Sequence, residues 1–241
     1  MTQIKYFLLK CKVMDSKNTI LIIPAYNEGM AISDTINDIP KKFDNIICVD
    51  DGSGDDTTSR ISGTRAKLVC HPVNLGQGAA IQTGIEYALQ DSRAEIFVTF
   101  DADGQHRIED VEKMVKFMKD NKLDIVLGSR FLGKAENISR VKRVILKLAV
   151  WVSNLTSGVK LTDTHNGLRV FNRHVAENMK LQHYDYSHAS EIIDRIAQKK
   201  FKYAEYPVTI VYTEYSKAKG QSMINSINLG FDMLMNKVLK K

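Results

Sequence analysis

Two aspartates separated by one residue, Asp101 and Asp103, directly follow a short apolar run at residues 95–100. Carboxylates at positions i and i+2 of a turn can present oxygens to one hard cation. Mg²⁺ and Mn²⁺ prefer oxygen ligands and usually share them with substrate phosphates. Asp and Gly are also common in solvated turns, but the position after a buried strand favours a metal site. Such a cation would neutralise the charge that develops on a departing diphosphate.

A second acidic pair, Asp50 and Asp51, follows another apolar run at residues 45–49. Carboxylates there can accept hydrogen bonds from a base N–H or a ribose hydroxyl, and the same turn can cap the helix that follows. Residues 74–80 (NLGQGAA) open a later helix, where Gly78 allows a close backbone approach and free N–H groups point outward. These residues are candidates for binding an anionic ligand.

Apolar runs alternate with helical patterns over about 110 residues, and this alternation positions both acidic pairs. The predicted strands are residues 19–23, 45–49, 67–70, 95–100 and 124–127. The predicted helices between them are residues 29–39, 55–61, 77–90 and 108–120. The pattern predicts an open α/β sheet with helices on both faces. In such sheets ligands bind beyond the carboxyl ends of the strands, where residues 26–28 and both acidic pairs lie.

The second half of the chain has a different pattern. It predicts a long amphipathic helix at 139–156, a strand near 168–171, a helix at 188–199, a strand at 203–212 and a final amphipathic helix after 222. We expect this half to pack on the first within one domain. Residues 1–17 are expected to be either an extension outside the fold or, over residues 1–13, a loose extra strand.

The composition excludes several classes of protein. The 241 residues are 44% hydrophobic and 26% charged, which is typical of a globular protein and not of a disordered chain or a collagen-like repeat. Three widely spaced cysteines favour a reducing compartment over a disulfide framework. The net charge of +6 suits an anionic partner. Nucleic acid is a poor choice, because no recognised motif is present and the acidic strand ends repel phosphate without a metal.

Five motifs follow one another along the chain: PAYNE at 24–28, VDDGS at 49–53, NLGQGAA at 74–80, FDADGQ at 100–105 and GSR at 128–130. Together they resemble the family 2 glycosyltransferases, and within that family the dolichyl-phosphate mannose synthase-like branch, which includes polyprenyl-phosphate hexose synthases. The resemblance covers residues 19–132. A looser block, DTHNGLRVF at 163–171, is similar to the Asp-x-x-x-Gly-Phe-Arg-x-Phe pattern of that branch.

The resemblance implies a GT-A fold, a UDP- or GDP-linked sugar donor, Mg²⁺ or Mn²⁺ as cofactor and inversion at the anomeric carbon. The residues that it implies for nucleotide-sugar binding are Pro24, Ala25, Tyr26, Glu28, Asp50, Asp51, Gly78, Asp101, Ala102 and Asp103. Those that it implies around the metal are Asp101, Asp103 and Gln105. It also implies that residues 18–132 form a nucleotide-sugar half and residues 133–241 an acceptor half.

Two acceptors are open from the sequence. Polyprenyl phosphate is already an anionic nucleophile and needs cations, for which Arg130, Arg143 and Arg169 are candidates because arginine forks bind phosphate oxygens. A hydroxyl of a polyprenyl-diphosphate-linked saccharide needs a general base, for which Glu191 is the candidate. Glu191 can equally be a first-turn helix acid favoured by the helix dipole. With Asp103, Arg130 and Glu191 form the predicted catalytic set.

The sequence leaves open which segments contact a membrane. Basic amphipathic stretches at 140–155 and 222–241 either cover the protein's own core or lie in a membrane interface. The basic segment at 215–222 either closes over a diphosphate or is solvated linker. We expect a peripheral protein at the cytoplasmic face of the membrane, with a membrane-embedded partner subunit as a further possibility.

Two rival classes of protein fit the sequence less well. A nucleotidyltransferase would need a glycine-rich basic loop after the first strand, where this chain has PAYNE at 24–28. A sugar-binding but inactive relative is disfavoured by the presence of both Asp101 and Asp103.

Overall fold

The computed structural model describes residues 18–182 and 187–216. The strands are β1 (Thr19–Ala25), β2 (Asn45–Asp50), β3 (Lys67–Cys70), β4 (Ile96–Thr99), β5 (Ile125–Glu136), β6 (Arg169–Asn172) and β7 (Tyr203–Val211). The helices of at least six residues are α1 (Ile32–Asp38), α2 (Thr57–Ser62), α3 (Gln77–Leu89), α4 (Ile108–Asp120), α5 (Arg140–Ser157), α6 (Arg173–Asn178) and α7 (His188–Lys199). The predicted alternation of strands and helices is confirmed across the first half.

All seven strands form one sheet in the order β3-β2-β1-β4-β6-β5-β7. Strand β6 runs antiparallel to β4 and β5, and the other neighbouring pairs are parallel. The chain moves outward from β1 through β2 to β3 and then returns to place β4 on the other side of β1. This reversal of strand order creates a crevice beyond the carboxyl ends of β1 and β4, where α/β proteins bind their ligands.

The central strands are buried on both faces, which explains their uninterrupted apolar sequence. In β1, Leu21 and Ile23 belong to the core cluster under α1 and α4, while Ile20 and Ile22 belong to the cluster under α3 and α7. Successive side chains of a strand point to opposite faces, so both layers of helices need apolar residues from the same strand.

Two elements differ from the prediction. Strand β5 continues to Glu136, far beyond residue 127, because it pairs with β7 past an irregularity between Ser129 and Lys134. Helix α6 was not predicted, since its six residues are too few to show a helical period. Its N-cap is Asn172, whose side chain accepts a hydrogen bond from the Val175 backbone N–H.

Helix α5 confirms the predicted helix at 139–156 but not the interpretation that its apolar residues cover the core. That interpretation is wrong for five of them, which are exposed: Val141, Val144, Leu148, Trp151 and Leu155. The buried face of the helix carries Leu146, Val152 and Ser153 instead. In the part of the chain that the structure describes, no helix is both long enough and apolar enough to cross a membrane. The predicted extension at 1–17 and the predicted helix after residue 222 lie outside the described residues.

Candidate functional site

The candidate site is the crevice at the carboxyl ends of β1, β2 and β4. Pro24 and Ala25 are the buried last residues of β1, and Ala25 pairs with Asp50 at the end of β2. Tyr26 follows them and is 43% exposed at the mouth of the crevice. The backbone carbonyl of Ala102 accepts a hydrogen bond from the Thr35 hydroxyl at 2.9 Å, which ties the acidic turn after β4 to α1.

Asp101 is held from two sides and keeps a partly exposed carboxylate. Its Oδ2 lies 2.7 Å from Nε2 of the buried His106, and 29% of its side chain is exposed. A Cβ on Gly167 would lie 2.2 Å from the same oxygen, so any larger residue there would displace the Asp101 carboxylate. Burial alone would raise the pKa of Asp101, but His106 and then Arg169 hold it below its ordinary value.

Asp103 lies in the same turn and repels Asp101. Burial and the charge of Asp101 raise the pKa of Asp103 to about 6. Its Oδ2 accepts a hydrogen bond from Nε2 of Gln105 at 2.6 Å, and its Oδ1 accepts one from the Gln105 backbone N–H at 3.2 Å. In this geometry Gln105 orients the carboxylate of Asp103.

The donor set fits a magnesium-type ion that is completed by substrate. A divalent cation between the two neighbouring carboxylates would remove the repulsion between their charges. Mg²⁺ commonly binds one or two carboxylates together with substrate phosphates and water. Among residues 18–182 and 187–216, no group of three or more His, Cys, Asp or Glu is arranged to hold a metal. The remaining ligands would come from Gln105, which the sequence also predicts around the metal, or from a diphosphate and water.

The aspartates after β2 build the loops that line the crevice. Asp50 accepts hydrogen bonds from the hydroxyl and backbone N–H of Ser53. Asp51 lies 2.7 Å from Nδ1 of His71 and accepts the Gly76 backbone N–H at 2.7 Å. Gly76 has a φ of 101° and directly precedes α3, in which Gly78 is buried. Both aspartates are buried and hold loops at the edge of the crevice. Their role in nucleotide-sugar binding stays a prediction.

Arg130 lies at the centre of a buried polar cluster. Its Nε donates to Asp163 at 2.6 Å, its Nη1 donates to the Tyr212 hydroxyl at 2.6 Å, and its Nη2 donates to the His165 carbonyl at 2.8 Å. The guanidinium is thus committed on all three nitrogens to protein groups. It joins β5 to the loop before β6 and to the residue after β7.

Arg169 has a different environment from Arg130. It is 3% exposed, and its Nη1 has no hydrogen-bond partner. Burial lowers the pKa of Arg169 to about 10, against the opposing charges of Asp101 and Asp163. A buried donor without a partner costs free energy, which a bound anion would recover.

Lys142 is the cation of α5 that faces the cluster, and Arg143 is exposed. The Lys142 ammonium lies 4.4 Å from the Tyr212 ring centroid, and burial together with Arg130 lowers its pKa. No sequence motif indicated Lys142 as a site residue. Lys142 lies four residues before the buried Leu146, and residues with this spacing share a helix face. This spacing could have indicated that Lys142 faces inward.

Glu191 lies in the first turn of α7 and is buried. Its two carboxylate oxygens accept the Gln182 backbone N–H at 2.9 and 3.0 Å, and Arg195 donates to it at 3.1 Å. These bonds tie α7 to the chain at residue 182 and engage both oxygens.

The crevice has two further residues that no sequence motif indicated, His106 and His71, and a third, Tyr215, from the predicted segment 215–222. His106 and His71 orient the two acidic pairs, and neither has a local signal beyond proximity to a motif. The Tyr215 hydroxyl donates to Glu28 at 2.7 Å and brings the segment after β7 across the loop after β1. Of the predicted segment 215–222, residues 217–222 lie outside the described residues.

The sheet order and the acidic crevice define an α/β protein whose ligand site lies beyond the carboxyl ends of its strands. The family model of Glycosyl transferase family 2 matches residues 20–179. The chain belongs to this family and is a glycosyltransferase, so the predicted family is confirmed.

Two relatives match nearly the whole chain. An uncharacterized protein of Methanocaldococcus jannaschii is 37% identical over 226 residues, which cover 90% of this chain and 91% of that protein. The UDP-N-acetylglucosamine–dolichyl-phosphate N-acetylglucosaminyltransferase of Methanococcus voltae is 31% identical over 251 residues, which cover 94% of this chain and 99% of that protein. The predicted similarity to dolichyl-phosphate glycosyltransferases is confirmed by the second of these relatives.

A solved structure shows the same fold. The glucosyl-3-phosphoglycerate synthase of Mycobacterium tuberculosis superposes with a TM-score of 0.58 at 19% identity, covering 78% of this chain and 68% of that chain. That structure is a complex with Mn²⁺, UDP-glucose and phosphoglyceric acid. The predicted GT-A fold is confirmed by this likeness.

Proposed function

We propose that this enzyme transfers a hexose from a nucleotide-diphosphate sugar to polyprenyl phosphate at the cytoplasmic face of the membrane, with Mg²⁺ or Mn²⁺ as cofactor. The observation that carries the proposal is the pairing of two neighbouring carboxylates, Asp101 and Asp103, with a buried guanidinium, Arg169, that has a free donor. The two carboxylates suit a metal-bound diphosphate, and the guanidinium of Arg169 suits a second phosphate.

Residues 18–132 form the donor half in this proposal. The crevice between Tyr26 and the acidic turn would hold the nucleoside, with Asp50 and Asp51 fixing its walls. Asp101 and Asp103 would hold the metal, which neutralises the diphosphate as it departs. A UDP-linked donor is the first choice, because the Methanococcus voltae relative is named for one.

Residues 133–241 form the acceptor half. Arg169 and Lys142 would neutralise the acceptor phosphate and bring it to the sugar, since two anions must meet for the reaction to occur. A phosphate oxygen attacks the anomeric carbon from the side opposite the diphosphate. The bond from that carbon to the diphosphate oxygen breaks, and the configuration inverts. No proton has to leave the acceptor, so no general base is required.

Glu191 supports the phosphate acceptor over the hydroxyl acceptor. A general base must come within hydrogen-bond reach of the acceptor hydroxyl, and Glu191 is only 8% exposed. Both Glu191 oxygens accept hydrogen bonds from Gln182, and Arg195 binds one of them. The saccharide hydroxyl remains the second candidate, and it requires these bonds to be exchanged for an acceptor contact.

The assignment is tested by a donor screen. The purified chain is incubated with Mn²⁺ or Mg²⁺ and a panel of UDP- and GDP-linked sugars, with and without polyprenyl phosphate, and nucleotide release is measured. We expect release that depends on the lipid and falls by at least about a thousandfold in Asp103→Ala, because the metal is a principal source of transition-state stabilisation. Asp120→Ala, on the exposed end of α4, is the matched control.

Three results would change the proposal. Absence of donor binding with metal present would contradict it. Release of nucleotide only with a lipid-linked saccharide would select the hydroxyl acceptor. Donor binding without turnover on either lipid would show that a membrane-embedded partner subunit is required.

Glu191→Gln separates the two acceptors in the same assay. A phosphate acceptor predicts kcat within about threefold of the parent enzyme, because no base is lost. A hydroxyl acceptor predicts a loss of about a hundredfold or more. Glu177→Gln, which removes an exposed ion pair with Arg173, controls for the change of charge.

A further inference from the structure

The exposed face of α5 carries a continuous apolar stripe. Its members recur at alternating spacings of three and four residues: Val141, Val144, Leu148, Trp151 and Leu155. Their exposed fractions run from 47% at Leu148 to 68% at Leu155. The stripe extends over about 21 Å of helix. Large apolar side chains aligned in this way on a surface mark an interaction site.

The charges of α5 favour one kind of partner. The helix contains four cations and no acidic residue. Arg140, Arg143 and Lys147 are exposed and lie along one flank of the stripe at 100° per residue, whereas Lys142 turns inward to Tyr212. An apolar stripe with a basic flank suits an anionic lipid surface, which takes apolar side chains at the acyl boundary and basic ones at the headgroups.

A second copy of the chain fits this face poorly. Two α5 helices packed through the stripe would offer one another only basic charges, with no acidic residue from either helix. Like charges at such positions oppose association. The structure therefore offers no charge complementarity for self-pairing through this helix.

The stripe is also adjacent to the candidate acceptor site. Lys142, in the first turn of α5, lies 4.4 Å from the ring of Tyr212, and the Tyr212 hydroxyl contacts Arg130. The inward face of the helix thus touches the polar cluster while its outward face carries the stripe. A bilayer against α5 would hold a lipid headgroup beside the cations that the proposed function assigns to the acceptor.

We propose that α5 is the membrane-docking surface of the enzyme and lies in the headgroup region of an anionic bilayer. This inference rests on the proposed function for its lipid-linked acceptor but concerns a separate surface. It assigns the stripe to lipid and Lys142 to the acceptor site.

Trp151 provides a direct test, because it is the only tryptophan of the chain and is 63% exposed on the stripe. Its emission is recorded with vesicles of phosphatidylcholine alone and with vesicles containing about one third phosphatidylglycerol. We expect a blue shift and protection from acrylamide with the anionic vesicles only. The binding should weaken in 0.5 M salt, because surface charges are screened.

Two substitutions test the stripe and its flank separately. Leu148→Glu should weaken binding to anionic vesicles about tenfold, and Lys147→Glu about fivefold or more, since one basic residue near the surface contributes roughly that factor. Tyr87→Glu, at an exposed aromatic residue of α3, should leave binding unchanged. Leu148 and Lys147 are exposed, so these changes do not disturb the core.

Emission that is unchanged by anionic vesicles would overturn the inference. So would emission that is already blue-shifted and protected from acrylamide without vesicles, because protein would then cover the stripe. A blue shift that depends on protein concentration alone would assign the stripe to a second copy. Nucleotide release with a short, water-soluble polyprenyl phosphate is measured in parallel, so that a failure of docking is distinguished from a failure of the proposed reaction.

Discussion

At the scale of single residues, the site depends on how the acidic turn after β4 is held. His106 supports Asp101 from within the protein, and the backbone of Gly167 packs against the same carboxylate. This support keeps Asp101 ionised while its neighbour Asp103 is more readily protonated. A pair in which the two carboxylates differ in pKa in this way is suited to bind a cation together with a diphosphate.

Gly167→Ala tests this close packing. The new Cβ would lie 2.2 Å from Asp101 Oδ2, so the carboxylate must shift from its present position. We expect Mn²⁺-dependent donor binding to fall by at least about tenfold, measured by calorimetry with each nucleotide sugar. Gly54→Ala is the control, because a Cβ there meets no atom within 4 Å and should leave binding intact.

Arg130→Met tests the buried cluster. The substitution leaves Asp163 buried without its guanidinium partner, which typically costs about 3–5 kcal/mol. We expect that loss in the free energy of unfolding measured by urea titration. Arg93→Met, which removes an exposed pair with Asp91, should change it little. An Arg130→Met protein of parental stability that fails only in catalysis would assign Arg130 to the reacting phosphates.

At the scale of elements, the crevice requires α3 to lie close to the sheet. Gly84 is buried in α3, and a Cβ there would lie 2.3 Å from Cγ2 of Ile22 in β1. The glycine therefore sets the distance between helix and strand. The same helix begins at the loop that Asp51 holds, so its position also shapes the crevice.

Gly84→Ala sets two effects against each other. Alanine favours a helix by about 1 kcal/mol over glycine, but overpacking a core typically costs about 1–3 kcal/mol. Because the clash is with a buried side chain, we expect net destabilisation in urea. In Gly63→Ala, at the end of α2, the nearest atom would be at 3.5 Å, and stability should not fall. A stabilised Gly84→Ala protein would contradict this account of the packing.

At the scale of the whole molecule, the second half of the chain joins the first through long-range polar contacts. Arg130 and Tyr212 are 82 residues apart, and Tyr215 reaches Glu28 across 187 residues. His165 lies in this assembly, facing Asp163, Arg130 and Arg169. Burial lowers the pKa of His165 to about 4, against the opposing charge of Asp163.

This depressed pKa predicts a loss of stability in acid. Between pH 6.5 and 4 the unfolded chain binds a proton at His165 that the folded chain does not, so the free energy of unfolding falls as pH falls. The contribution reaches up to about 3 kcal/mol near pH 4. Urea titrations at pH 7, 5 and 4 should show a shallower pH dependence for His165→Gln than for the parent and for the exposed-site control His174→Gln. Equal slopes in all three would contradict it.

Much of the fold was predictable from the sequence because its signals are local. Apolar runs of four to six residues indicated the central strands, and helical periods indicated α3, α4 and α7 to within a residue or two. The order of motifs at strand ends indicated the family, which the family model confirms. Each of these signals lies within a short stretch of chain, where propensity and burial act directly.

The roles of the basic residues depended on tertiary structure. Sequence spacing could not separate Arg130, whose three guanidinium nitrogens bind protein groups, from Arg169, which keeps a buried donor without a partner. Those differences arise from the antiparallel insertion of β6 between β4 and β5 and from contacts across 82 residues. The outward direction of the α5 stripe was decided in the same way, because a helical period defines a face and only packing determines what that face meets.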